Sequence, residues 1–122
     1  MLELRNINLK YKKFELKDIS LKIEKGEYHM LLGPSGSGKT LLLNVIAGLI
    51  KPDSGQIILN GEDISGLLPQ LRKVSYLFQD LALFPHMSVG ENVAFPLVIK
   101  KMPKNEVNEK VKKYLELPMF II

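Results

Sequence analysis

Gly33-Pro34-Ser35-Gly36-Ser37-Gly38-Lys39-Thr40 decides how this chain is read. The run fits G-x-x-x-x-G-K-S/T, a pattern that cradles phosphate groups. Glycines at 33, 36 and 38 permit backbone conformations that a Cβ forbids. Successive N–H groups can then turn inward as an anion-binding nest. A helix after the loop adds its free N-terminal N–H groups and the positive end of its dipole. Lys39 brings a mobile point charge suited to β- and γ-phosphates, and the Thr40 hydroxyl is a hard oxygen suited to Mg²⁺. The plainer alternative is a Gly/Ser-rich turn with no ligand.

The flanking residues favour the phosphate reading. Glu27-Tyr28-His29-Met30-Leu31-Leu32 is a short, mostly apolar run that reads as a buried strand, and Thr40 to Ala47 reads as a helix stopped by Gly48. Strand, glycine loop and helix are the context that the pattern requires. Leu2, Leu4, Ile7 and Leu9 mark an earlier strand with imperfect alternation, and Leu16, Ile19, Leu21 and Ile23 mark a second. Pro52-Asp53-Ser54-Gly55 is a turn, Gln56 to Leu59 a strand, and Asn60-Gly61 a hairpin turn. Leu67 to Leu71 reads as a short helix and Val74 to Phe78 as another strand. Ser88 with Glu91 has the spacing of a capping box, which starts a helix expected to run to about Phe95. Val107, Val111, Tyr114 and Leu115 form one apolar helical face, and Pro118 ends that helix.

Composition bounds the function. The chain has 122 residues, 46% of them apolar, which suits one modest globular domain. It contains no cysteine, so it has no disulfide and no thiolate metal site. The net charge of +4 comes from lysines spread along the chain. A nucleic-acid surface needs a denser basic patch, so nucleic acid is not expected as a partner. No apolar run approaches a membrane span, and Met1-Leu2-Glu3-Leu4-Arg5 lacks the regions of a signal peptide. Together these point to the cytoplasm. His29 and His86 are read as structural.

Five stretches, in order and spacing, narrow the family. They are Leu16 to Leu21 before Lys25-Gly26-Glu27; Leu32 to Thr40; Ile46-Ala47-Gly48-Leu49 before Pro52 to Gly55; Asn60 to Ile64; and Phe78 to Val89 followed by Glu91-Asn92-Val93. The chain resembles the ATP-binding subunit of ATP-binding cassette (ABC) transporters, up to about Glu116. The resemblance implies an α/β fold: a P-loop NTPase of the ABC ATPase type, with an antiparallel β layer, an incomplete parallel core and the start of a helical subdomain. It divides the chain into a core over residues 1–87 and a helical part over 88–122.

The resemblance also implies ATP with Mg²⁺ as ligands. ATP contacts fall on Tyr11 and on Gly33, Pro34, Ser35, Gly36, Ser37, Gly38, Lys39, Thr40 and Leu41. Tyr11 matches the aromatic residue that stacks on adenine, with Phe14 as the rival aromatic. Gln79 matches the Q-loop glutamine, so catalytic roles go to Lys39 and Gln79 and Mg²⁺ contacts to Thr40 and Gln79. Leu81 to Met87 match the region that receives an integral-membrane permease subunit, and a second ATPase subunit is the other expected partner. The Leu83 to Val93 run looks most like importer subunits for molybdate or tungstate, sulfate, iron, polyamines or sugars, peripheral on the inner face of the cell membrane. No Leu-Ser-Gly-Gly-Gln-like signature, no apolar strand ending in Asp-Glu and no switch histidine follows Met87. The 122 residues alone are therefore expected to lack ATP turnover. Two other readings stay open: a truncated nucleotide-binding module without hydrolysis, and a soluble ABC ATPase outside transport.

Overall fold

The structure, a computed structural model, describes residues 1–117. The chain forms two compact units, Met1–Tyr76 and a second beginning at Leu77. In the first unit, β1 (Leu2–Tyr11) pairs antiparallel with β2 (Phe14–Ile23) and, on its other side, with β3 (Ser54–Leu59). A short β4 (Glu62–Asp63) extends the sheet to the order β2-β1-β3-β4. Asn60 and Gly61, both with positive φ, turn β3 into β4, as an Asn-Gly hairpin requires.

The imperfect alternation in β1 has a structural cause. Leu4 to Ile7 is a step of three where a flat strand needs two. Asn6 adopts φ 48° and Asp18 on β2 adopts φ 47°, and the ladder shifts register there. Polar side chains take over the lost ladder bonds. Asn6 N–H donates to Ser20 Oγ (3.0 Å), Asn6 Nδ2 to Asp18 Oδ1 (2.7 Å), and Asp18 N–H to Asn8 Oδ1 (2.9 Å). The bulge absorbs one residue, so Leu4, Ile7 and Leu9 all reach the core. There they meet Leu16, Ile57 and Ile64, and Leu41, Leu42 and Val45 of helix α1 (Lys39–Ala47).

Gly48 closes α1 in the left-handed region, at φ 82°. Its N–H donates to Val45 O (3.1 Å) and that of Leu49 to Asn44 O (2.9 Å), the paired bonds of a Schellman ending. Beyond it lies a 3₁₀ turn, Pro69–Leu71, in place of the short helix expected over Leu67 to Leu71.

Two expected strands are not present. Residues 27–32 and 74–78 carry no ladder bonds. Tyr28 is 86% exposed and Leu77 85%. An apolar run becomes a buried strand only when neighbouring strands satisfy its N–H and C=O groups. Among the described residues no strand lies beside either run, so the all-antiparallel sheet stands without a parallel layer.

The second unit packs α2 (Val89–Ile99) on α3 (Lys104–Leu115). The Ser88–Glu91 capping box forms in both directions: Ser88 Oγ accepts from Glu91 N–H (3.2 Å) and Glu91 Oε2 from Ser88 N–H (2.7 Å). The helix continues past Phe95 with Pro96 inside it. A proline removes a single ladder donor, and Lys100 N–H donating to Pro96 O (3.3 Å) carries the pattern onward. On α3, Val107 is buried, whereas Tyr114 and Leu115 are about half exposed. The end expected at Pro118 lies outside the described residues.

Two outcomes follow for stability. Gly48→Ala places a Cβ 2.4 Å from Arg72 Nε and forces a left-handed alanine. Unfolding in urea should show a loss of about 2 kcal/mol or more; an unchanged midpoint would contradict the close approach. The backbone N–H of Ser88, then its side chain, holds the Glu91 carboxyl below the usual glutamate range. A depressed carboxyl contributes stability that is complete above the unfolded pKa and lost as pH falls through the folded one. The protection of the amides of Ser88 to Asn92, measured against their intrinsic exchange rates, should therefore fall on acidification below the ordinary glutamate range, and Glu91→Gln should flatten that dependence.

Candidate functional site

The glycine loop leads directly into α1, and the first helical turn is left bare. Gly38 occupies the N-cap with φ 90°, no side chain caps the helix, and no acidic residue lies in the first turn. The first N–H groups of a helix have no acceptor within it, so this end of α1 presents donors and a positive dipole end. Gly38 must be glycine on two counts: its φ, and the 3.2 Å at which a Cβ would meet Leu16 Cδ2. Strand β2 thus backs the loop, with Leu16 beneath Gly38 and Phe14 Cε1 3.9 Å from where a Cβ would stand on Gly36.

A cavity of about 430 Å³ opens over this surface. Ser35, Gly36, Gly38, Lys39 and Thr40 line it from the loop side, Tyr11 and Phe14 from the β1–β2 hairpin. Leu41 also borders it, though its side chain is buried in the core, so Leu41 offers backbone. Gly33, Pro34 and Ser37 act differently from their neighbours. Lys39 Nζ donates to Gly33 O (2.6 Å), Pro34 O (2.6 Å) and Ser37 Oγ (3.1 Å). Three loop oxygens thereby hold all three donors of the ammonium at the mouth of the loop.

The two rival aromatics have distinct surroundings. They face each other across the hairpin, Tyr11 opposite Phe14. Phe14 packs on the core while Tyr11 is 39% exposed. Lys12 Nζ lies 5.7 Å from the Tyr11 ring centre and Lys13 Nζ 5.6 Å from that of Phe14. Gln79 belongs to the second unit, exposed on a turn.

The Leu81 to Met87 segment is built around one amide. Asn92 Oδ1 accepts from Phe84 N–H (2.9 Å), and Asn92 Nδ2 donates to the carbonyls of Phe84 (3.2 Å), Met87 (3.2 Å) and Ser88 (2.9 Å). Phe84 packs on Phe95 with centroids 4.5 Å apart, and His86 meets its edge. Leu81 and Leu83 remain exposed.

Three residues that sequence reasoning passed over support the site. Arg72 is 3% exposed. Its Nη1 donates to Val45 O (3.0 Å) and Ile46 O (3.1 Å), its Nε to Leu67 O (2.9 Å) and its Nη2 to Ser65 O (2.9 Å). Burial lowers its pKa, yet a guanidinium keeps its proton at any ordinary pH. Asn44 borders the cavity and accepts a bond from Tyr76 Oη (2.8 Å). No spacing rule marks Arg72 or the Asn44–Tyr76 pair, since their partners lie 26 to 32 residues away or on the backbone.

Comparison with known proteins agrees with this architecture. The family described as ABC transporter matches residues 16–119. The molybdate/tungstate import ATP-binding protein WtpC of Pyrococcus horikoshii is 51% identical over 95% of this chain and 34% of that protein. The spermidine/putrescine import ATP-binding protein PotA of Fusobacterium nucleatum is 59% identical over 84% of this chain and 27% of that protein. The dimeric ATP-binding cassette MJ0796, solved in a post-hydrolysis state bound to ADP and Pi, superimposes with a TM-score of 0.80 at 32% identity, covering 93% of this chain and 55% of that one. The chain spans about a third of the length of the curated relatives it matches. With an ABC ATPase fold and a family match over most of its length, this chain belongs to the ABC transporter family.

Proposed function

We propose that this chain is the nucleotide-binding part of an ATP-binding subunit that powers solute import, with ATP and Mg²⁺ as its ligands. The observation that carries the reading is the bare N-terminus of α1 joined to a left-handed glycine loop, with Lys39 held at its mouth. An anion of several charges suits that surface: the first-turn N–H groups of α1 have no acceptor within the helix and no side-chain cap, and Lys39 can exchange its loop oxygens for phosphate oxygens. The donor set fits the metal too, since the exposed Thr40 hydroxyl is a hard, neutral oxygen beside the loop. Mg²⁺ there supplies charge neutralisation of the phosphates.

Tyr11 is assigned to the base. It keeps an exposed face on the cavity wall, whereas Phe14 is taken up by the core and by the loop at Gly36. For the partner side, Leu81 and Leu83 present apolar surface on a segment whose backbone Asn92 holds in place. That combination suits docking of a permease subunit. A second ATPase subunit completes the assembly, on the inner face of the membrane. The names of the relatives, which import molybdate or tungstate and spermidine or putrescine, support import of a small solute.

Titration calorimetry with ATP tests the assignment. Lys39→Ala should weaken binding at least about tenfold, the scale of a lost charge-assisted contact. Affinity equal to that of the parent would overturn the phosphate reading. For the base, Tyr11→Ala should cost about 1–3 kcal/mol of ATP affinity while leaving inorganic tripolyphosphate binding unchanged, and Tyr11→Trp should be tolerated. If Phe14→Ala produces that pattern and Tyr11→Ala does not, the aromatic roles are reversed.

A further inference from the structure

Helix α1 has an unusual distribution of charge. Its N-terminal turn carries no acidic residue and its last turn no basic one. The cation that normally complements a helix C-terminus arrives from elsewhere in the chain, as Arg72 on the carbonyls of Val45 and Ile46. Hydrogen-bond satisfaction explains only part of it: the carbonyls of Ile46, Ser65 and Leu67 gain a donor, but a neutral donor could serve them without a buried charge. Val45 O already accepts from Gly48 N–H (3.1 Å) in the Schellman ending. The guanidinium is buried, and the ion pairs among the described residues, Arg5–Glu3, Lys22–Glu24 and His29–Glu27, leave it without a carboxylate. Burying an unpaired charge costs stability, so its charge calls for a use that a neutral hydrogen-bonding side chain could not serve.

We propose that Arg72 is a positioning residue for the phosphate site, acting through α1. It pins the C-terminal end of the helix to the Ser65 and Leu67 carbonyls and adds a buried positive charge on the helix axis, behind the phosphate cradle. This deepens the nucleotide reading above and rests on it. Nine residues of helix span roughly 13 Å. Across that distance, in a protein interior, one unit charge shifts the affinity of a phosphate charge by about tenfold. The effect scales with the charge of the ligand. A purely structural role, holding the core together, weakens every ligand of the cavity alike.

The test compares ATP, ADP and AMP binding by the 122-residue chain and by two variants, below their unfolding temperatures. Arg72→Gln keeps hydrogen-bond donors and loses the charge; Arg72→Lys keeps both donors and charge. Arg72→Gln should weaken ATP by at least about tenfold, with a smaller loss for ADP and the smallest for AMP, in step with ligand charge. Arg72→Lys should stay within about twofold of the parent for all three. Arg72→Met serves the same comparison where Arg72→Gln does not fold. The proposal is overturned if the uncharged variant binds ATP like the parent, if all three ligands lose equally, or if Arg72→Lys is as weak as Arg72→Gln. A parent chain that does not bind ATP, or binds it without need of Lys39, overturns the nucleotide reading itself. Lys39-dependent binding with no graded Arg72 effect removes the inference alone.

Discussion

Four backbone carbonyls converge on one buried guanidinium, and the first unit is organised around that convergence. Val45 and Ile46 end α1, while Ser65 and Leu67 begin the turn after β4. Neither segment could be buried with its carbonyls unmet. Arg72 meets them together, which ties the helix that carries the glycine loop to the segment leaving the sheet. Gly48 is required by the same contact, because any side chain there would displace the guanidinium. The constraint passes along the helix to its other end, where Gly38 and the first-turn N–H groups face the cavity.

The β1–β2 hairpin supplies the second support. Its bulge brings Leu4, Ile7, Leu9 and Leu16 to one face despite their uneven spacing. From that face Leu16 reaches Gly38 and Phe14 reaches Gly36. The glycines are therefore not simply flexible. They sit in left-handed conformations against apolar side chains, with Leu16 close enough to Gly38 that a Cβ there would have to push it aside. A loop held this way keeps its N–H groups aimed without ordering at the moment of binding, which lowers the entropy cost of recognition.

Much of this was legible in the sequence because it is local. The glycine pattern, the Asn60-Gly61 turn, the Gly48 stop and the Ser88–Glu91 capping box are each written within a few residues, and each forms. The family resemblance, carried by longer stretches, agrees with the family match and the solved cassettes. What local reading missed is what depends on distant partners. Residues 27–32 and 74–78 have strand-like composition, yet a strand is a relation between segments, and among the described residues no strand pairs with them. The helix expected to end near Phe95 runs through Pro96 to Ile99, because the hydrogen bonds after the proline resume the pattern. The packing roles of Arg72 and Asn92 are not visible in the sequence because their partners are backbone groups, which carry no mark there.

The pairing of β1 with β3 has a topological consequence. Asn8 lies opposite Ser54 in the ladder, so the chain between them, with β2, the glycine loop and α1, is a closed circuit. The cradle lies within a ring closed by the β1–β3 ladder instead of hanging from its rim. Opening the β1–β3 seam at any point slackens the cradle, and a ligand seated in the cradle tightens the seam through mass action. The β1–β3 seam and the cavity over the glycine loop thus form a single thermodynamic unit, and either one reports on the other.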